Sequence, residues 1–93
     1  VEEKMNAIER AIADMWTESL DIDRPQDLSP DSNFFDLGGH SLLANLIGAR
    51  VNEDFGVDLD LEKFFEKPTI KNVAQLILEA QMEILSNAEA EKR

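Results

Sequence analysis

The 93-residue chain has no cysteine, which excludes a disulfide framework and any thiolate chemistry of its own. It has a single histidine, and with no cysteine that rules out a typical zinc site. Basic residues are scarce: nine Lys and Arg stand against twenty Asp and Glu, for a net charge of −11. Nucleic acid and anionic membranes both call for basic stripes, so neither is an expected partner. An acidic surface suits partners that present basic patches. No apolar run approaches the roughly 20 residues of a membrane span. The charged start Val1-Glu2-Glu3-Lys4 lacks a signal-peptide pattern, and its missing initiator Met points to a processed, excised or trimmed chain. A cytoplasmic setting is the simplest expectation.

What remains is enough for one small domain. Hydrophobic residues make up 43%, which supplies a core and argues against wholesale disorder. We expect a single domain over residues 1–93, with its core at about 5–80 and a polar tail at 86–93. No strand pattern or repeat is visible. Residues 2–19 predict an amphipathic helix, with Met5, Ile8, Ile12, Met15 and Trp16 inward and Glu2, Glu3, Glu9, Asp14 and Glu18 outward. Residues 20–40 are rich in turn formers and predict a long loop, pinned to the core by Ile22, Leu28, Phe34, Phe35 and Leu37. Residues 41–55 predict a second helix with Leu43, Leu46, Ile47, Val51 and Phe55 inward, stopped by Gly56. A short helix follows over 60–66, capped by Asp60, with Leu61, Phe64 and Phe65 inward. Thr69 can cap a last helix that carries Ile70, Val73, Ala74, Ile77, Ala80 and Ile84 to about residue 85. The fold class is all-α: a bundle of three longer helices and one short one.

The run Asp36-Leu37-Gly38-Gly39-His40-Ser41 sits just before the second helix. A helix start has unpaired N–H groups and a partial positive charge, so it favours a phosphate. Two glycines remove side-chain bulk, so another protein could reach the Ser41 hydroxyl. The pattern suggests a serine that receives a phosphate-linked group from an enzyme. The plainer alternative is that Ser41 is only the helix N-cap, although Ala44 leaves it without a capping box. An esterase is disfavoured. Leu43 stands where a nucleophile elbow needs glycine, and His40, adjacent to Ser41, is badly placed to act as its base. Asp31-Ser32-Asn33-Phe34-Phe35-Asp36 starts like a calcium loop, but Phe35 and Asp36 fall where a ligand and a glycine belong. Glycine patterns of phosphate and dinucleotide loops are absent. No catalytic or metal-binding residue is assigned.

Residues 31–74 resemble carrier domains, specifically the peptidyl carrier (thiolation) domains of nonribosomal peptide synthetases. Asn33-Phe34-Phe35-Asp36-Leu37-Gly38-Gly39-His40-Ser41-Leu42-Leu43-Ala44 looks like that family's core motif. Arg50-Val51, Phe55-Gly56-Val57, Leu59, Leu61, Phe64-Phe65, Pro68-Thr69-Ile70 and Val73-Ala74 follow at family-like spacing, and the resemblance covers about residues 5–80.

The resemblance implies an acyl-carrier-protein-like fold and a covalent 4′-phosphopantetheine, moved from coenzyme A onto Ser41 by a phosphopantetheinyl transferase. The arm's thiol would hold aminoacyl or peptidyl thioesters for adenylation, condensation and thioesterase domains. Gly39 and His40 would flank the attachment, and the isolated domain would be a monomeric, non-catalytic carrier. The helix face through Asn45, Gly48 and Asn52, with Leu42 beside the arm, is the expected docking surface. Core burial is the alternative for Leu42, and ordinary solvated surface for the two asparagines. Histidine before the serine resembles peptidyl carriers, whereas fatty-acid and polyketide carriers usually have Asp there. Only Arg50 is charged among residues 41–52, which agrees. The net charge of −11 departs from that pattern and keeps an acyl carrier of a polyketide, fatty-acid or hybrid pathway as the alternative. A docking module whose serine is never modified is a third reading.

Overall fold

Asn6 starts the first helix through a reciprocal cap. Its Oδ1 accepts the Glu9 N–H at 2.8 Å, and Glu9 Oε1 accepts the Asn6 N–H at 3.0 Å. The computed structural model describes the backbone over residues 5–91 and the side chains over residues 5–86. Helix α1 spans Ala7–Leu20, so the expected start at residue 2, with Glu2 and Glu3, lies outside the described residues. Ile12, Met15 and Trp16 are buried as expected, with Met5 and Ile8 half-buried against them. Asp21 ends α1 in the left-handed region at φ 55°, its N–H donating to Thr17 O.

The loop from residue 21 to 40 is ordered, with one 3₁₀ turn at Pro25–Asp27. Two backbone bonds fasten it to the junction of the last two helices: Phe34 N–H donates to Pro68 O at 2.7 Å, and Lys71 N–H to Pro30 O at 2.8 Å. Leu28 and Phe34 are buried, and Ile22 and Leu37 are half-buried. Phe35, expected to pin the loop, is exposed. Its ring meets Phe34 edge-on and lies tilted against Phe65 rather than entering the core.

Helix α2 spans Ser41–Phe55 and stops at Gly56, which is left-handed at φ 70°. Helix α3 spans Leu61–Glu66, and Asp60 Oδ1 accepts the Lys63 N–H at 3.2 Å. Phe64 is fully buried, but Phe65 is exposed, because a six-residue helix offers the core only one such face. Helix α4 spans Ile70–Glu91, and Thr69 Oγ1 accepts the Asn72 N–H at 3.1 Å. It outruns the expected stop near residue 85, since no Gly or Pro interrupts it and Ala, Glu and Leu favour helix. The core ends about a turn before Ile84, which is therefore 50% exposed instead of buried. The side chains of 87–91 and all of 92–93, most of the expected polar tail, lie outside the described residues.

The described residues thus form three longer α-helices and a short one, with no strand beyond an isolated Asn33–Thr69 bridge. The core centres on Trp16, Phe34 and Phe64, joined by edge-on ring contacts, and on Ile47, Val51, Ile70, Val73 and Ile77. Among the described residues, no helix is long and apolar enough to cross a membrane.

Candidate functional site

The segment ahead of α2 is shaped by Asn33 and Phe34. Asn33 Oδ1 accepts the N–H groups of Phe35 at 2.8 Å and Asp36 at 3.0 Å, which fixes a turn. Phe34 O then accepts the Gly39 N–H at 2.9 Å, curling the chain over the Phe34 ring. The two glycines serve different purposes here. Gly38 adopts φ 103°, a conformation that favours glycine. Gly39 lies directly on the ring: a Cβ there would collide with Phe34 Cε2 and Cδ2 and come within 2.7 Å of Cζ. The sequence suggested that both glycines clear the way to the hydroxyl. The close contact at Gly39 faces the core instead. Gly39→Ala should cost about 1–3 kcal/mol through overpacking, read as a lowered thermal midpoint. An unchanged midpoint would mean that the ring yields freely.

Ser41 does not cap the helix. His40 is the N-cap: its backbone is extended, its O accepts the Ala44 N–H at 2.9 Å, and its Nδ1 accepts the Leu43 N–H at 3.4 Å. Ser41 is therefore the first helical residue, and its side chain is exposed. Among the described residues no hydrogen bond engages its hydroxyl, from His40 or any other group. The N–H groups of Ser41 and Leu42 likewise have no partner among the described residues. A phosphate ester on Ser41 fits this setting: the oxygen faces outward, beside free N–H groups at the positive end of α2.

The face running away from Ser41 is apolar and neutral. Leu42 is 66% exposed, which sets aside its burial in the core. Leu46, one turn on, was expected inward and is 53% exposed; Ala44 takes the inward position. Asn45, Gly48 and Asn52 line one depression with Leu59 and Leu61. Asn45 is free among the described residues, whereas Asn52 donates to Asp58 Oδ1 at 2.9 Å and Val57 O at 3.3 Å. Asn52 thereby braces the loop after α2. Arg50 reaches α1, donating to Glu18 Oε1 at 2.8 Å. That bond raises its pKa above the ordinary guanidinium value. The exposed surface pair contributes little to stability.

A small helical domain that displays an unengaged serine hydroxyl at a helix start has the form of a carrier: it offers an attachment point and a surface. Comparison with known proteins gives the family. Residues 10–77 match the phosphopantetheine attachment site family. The L-2-aminoadipate reductase large subunit of Candida glabrata is 44% identical over 76% of this chain and 5% of its own. Surfactin synthase subunit 1 of Bacillus subtilis is 36% identical over 82% of this chain and 2% of its own. The phosphinothricin tripeptide synthetase of Streptomyces viridochromogenes is 40% identical over 78% of this chain and 6% of its own. The chain therefore spans a small fraction of these relatives' length.

Two solved structures share the fold. The solution structure of a prototype peptidyl carrier domain of modular peptide synthetases matches with a TM-score of 0.69 at 35% identity, over 84% of this chain and 99% of that one. A structure of the phosphopantetheine transferase Sfp with coenzyme A and a peptidyl carrier protein matches with a TM-score of 0.75 at 33% identity, over 85% and 99%. The chain belongs to the phosphopantetheine attachment family, as a peptidyl carrier domain. It is a carrier of intermediates that takes 4′-phosphopantetheine covalently from coenzyme A.

Proposed function

We propose that Ser41 is the attachment residue, and that this domain carries aminoacyl or peptidyl groups within a nonribosomal peptide synthetase. The observation that carries this reading is the exposed Ser41 hydroxyl, left unengaged because His40 caps the helix. In the modification, Ser41 Oγ bonds to phosphorus and gives up its proton, while the nucleotide remainder of coenzyme A leaves. His40 Nδ1 is occupied as the helix cap, accepting the Leu43 N–H, so we assign the base to the transferase. Gly39 and His40 hold the turn that presents the hydroxyl. The bound arm supplies a terminal thiol that carries acyl groups as thioesters. This chain positions the arm and performs no catalysis itself.

His40 and the neutral face of α2 favour peptidyl over acyl cargo, as do relatives named for a tripeptide and for an amino acid. The partners are a phosphopantetheinyl transferase and the adenylation, condensation and thioesterase domains of a larger cytoplasmic synthetase. The domain itself is a monomeric unit with its core at about 5–80. Docking involves Leu42, Asn45, Gly48 and Asn52, together with Leu46.

Intact-protein mass tests this after incubation with coenzyme A and a broad phosphopantetheinyl transferase. One added phosphopantetheinyl group, mapped to the peptide bearing Ser41, is the expected result. No added mass on a folded sample, with a control carrier modified in parallel, would reject it. Amino-acid loading by adenylation domains then reads the cargo. Leu42→Asp should keep the melting curve and slow loading about tenfold, the loss of one exposed hot-spot contact. Normal loading would remove Leu42 from the docking surface.

A further inference from the structure

The far end of the molecule carries a second surface, unrelated to the serine. Where α2 ends, the loop through Val57 meets α4 and leaves a depression of about 390 Å³. Its floor is apolar: Val57 is buried, Leu76 and Ala80 are half-buried, and Ile84 is half exposed at the outer end. Leu76, Ala80 and Ile84 stand four residues apart along α4, so they form one ridge about 12 Å long. Its rim is acidic, with Asp58 and Asp60 on the loop side and Glu79 and Glu83 on α4. Among the described residues Lys63 is the one base lining it. Among the described residues none of the four carboxylates is in an ion pair. Asp58, Asp60 and Glu79 accept only from neutral donors, at Asn52, the Lys63 N–H and Gln75.

Charge says what fits. From residue 75 to 91 the sequence holds Glu79, Glu83, Glu89 and Glu91 and no Lys or Arg. A second copy would bring another net charge of −11 against this face. An apolar ridge between acidic rails complements a helix with an apolar stripe flanked by Lys and Arg. We propose that the groove between the 56–60 loop and α4 docks a cationic amphipathic helix of a partner polypeptide. The 15 residues of α2 separate it from Ser41 by about 22 Å. A partner held there leaves Ser41, Leu42 and Leu46 open, and raises its own effective concentration near the arm.

The test uses the full chain with ¹⁵N labelling and an 18-residue synthetic helix with leucines on one stripe and lysines beside it. Two control peptides are used: a scramble of the same composition and a glutamate-flanked version. Amide shifts confined to residues 57–60 and 76–86, with the Lys-flanked peptide alone, are the expected result. Glu79→Lys combined with Glu83→Lys should weaken binding at least tenfold while leaving the melting curve unchanged. The idea is overturned by equal binding of the scramble, by shifts centred on residues 35–46, or by no shift at millimolar peptide. Sedimentation showing self-association through α4 would assign the face to a second copy and also overturn it. Phosphopantetheine uptake is read separately on the same variant, so failure at Ser41 leaves this result interpretable.

Discussion

Ser41→Ala should give a folded helical domain that takes up no phosphopantetheine. The two halves of that outcome have different causes. Loss of uptake follows from loss of the only oxygen that the proposed chemistry uses. Retention of the fold follows from where the serine sits. A capping serine replaced by alanine costs about 0.5–2 kcal/mol. Ser41 is the residue after the cap, its side chain is exposed, and alanine favours helix. Stability should therefore change by no more than about 0.5 kcal/mol, as for ordinary surface substitutions. Mass spectrometry and circular dichroism on one sample read both halves. Uptake by the variant equal to that of the parent would move the attachment to another of the chain's serines. A melting loss near 1–2 kcal/mol would return the capping role to Ser41.

Phe34→Ala should have the largest effect on stability. The ring is fully buried, edge-on to Trp16 at 5.2 Å and to Phe64 at 5.3 Å between centroids, and it carries Gly39 on its other side. Truncating a buried phenylalanine costs about 3–5 kcal/mol. A domain of this size has about 5–10 kcal/mol in total. The variant should unfold at far lower urea than the parent, followed through Trp16, the single tryptophan. It should also load slowly at urea concentrations where it is still folded, because the turn before Ser41 has lost its support. A urea midpoint close to that of the parent would show that the turn holds itself together without the ring.

Helix α2 was legible to the residue, from the apolar spacing that starts after Ser41 and the Gly56 stop. The caps Asp60 and Thr69 were legible for the same reason: their side chains bond locally, and local bonds leave a signature. What could not be read depended on distant chain. Phe34-Phe35 and Phe64-Phe65 are adjacent pairs, and only packing across the loop, α1 and α3 decides which ring goes in. Leu46 satisfied the apolar periodicity, yet among the described residues no element covers that side of α2. The capping role of His40 was missed because serine is the commoner cap type and stood one residue away. The proposed attachment serine stood out in the sequence, but the geometric reason for Gly39 did not. No spacing rule reports that a ring five positions earlier lies beneath its Cα.

The loop that displays the serine is fastened by partners far along the chain. Phe34 N–H is held by Pro68 O and Pro30 O by Lys71 N–H, both across the α3–α4 junction. The short run of residues that makes the family recognisable is therefore not portable. Excised as a peptide, or grafted into another protein's loop, it would keep its letters and lose its shape. Neither the ring under Gly39 nor the anchorage of residues 30–34 would come with it. What can be transplanted between proteins is the whole core-forming stretch, from the Asn6 cap through the buried turns of α4 that carry Val73 and Ile77.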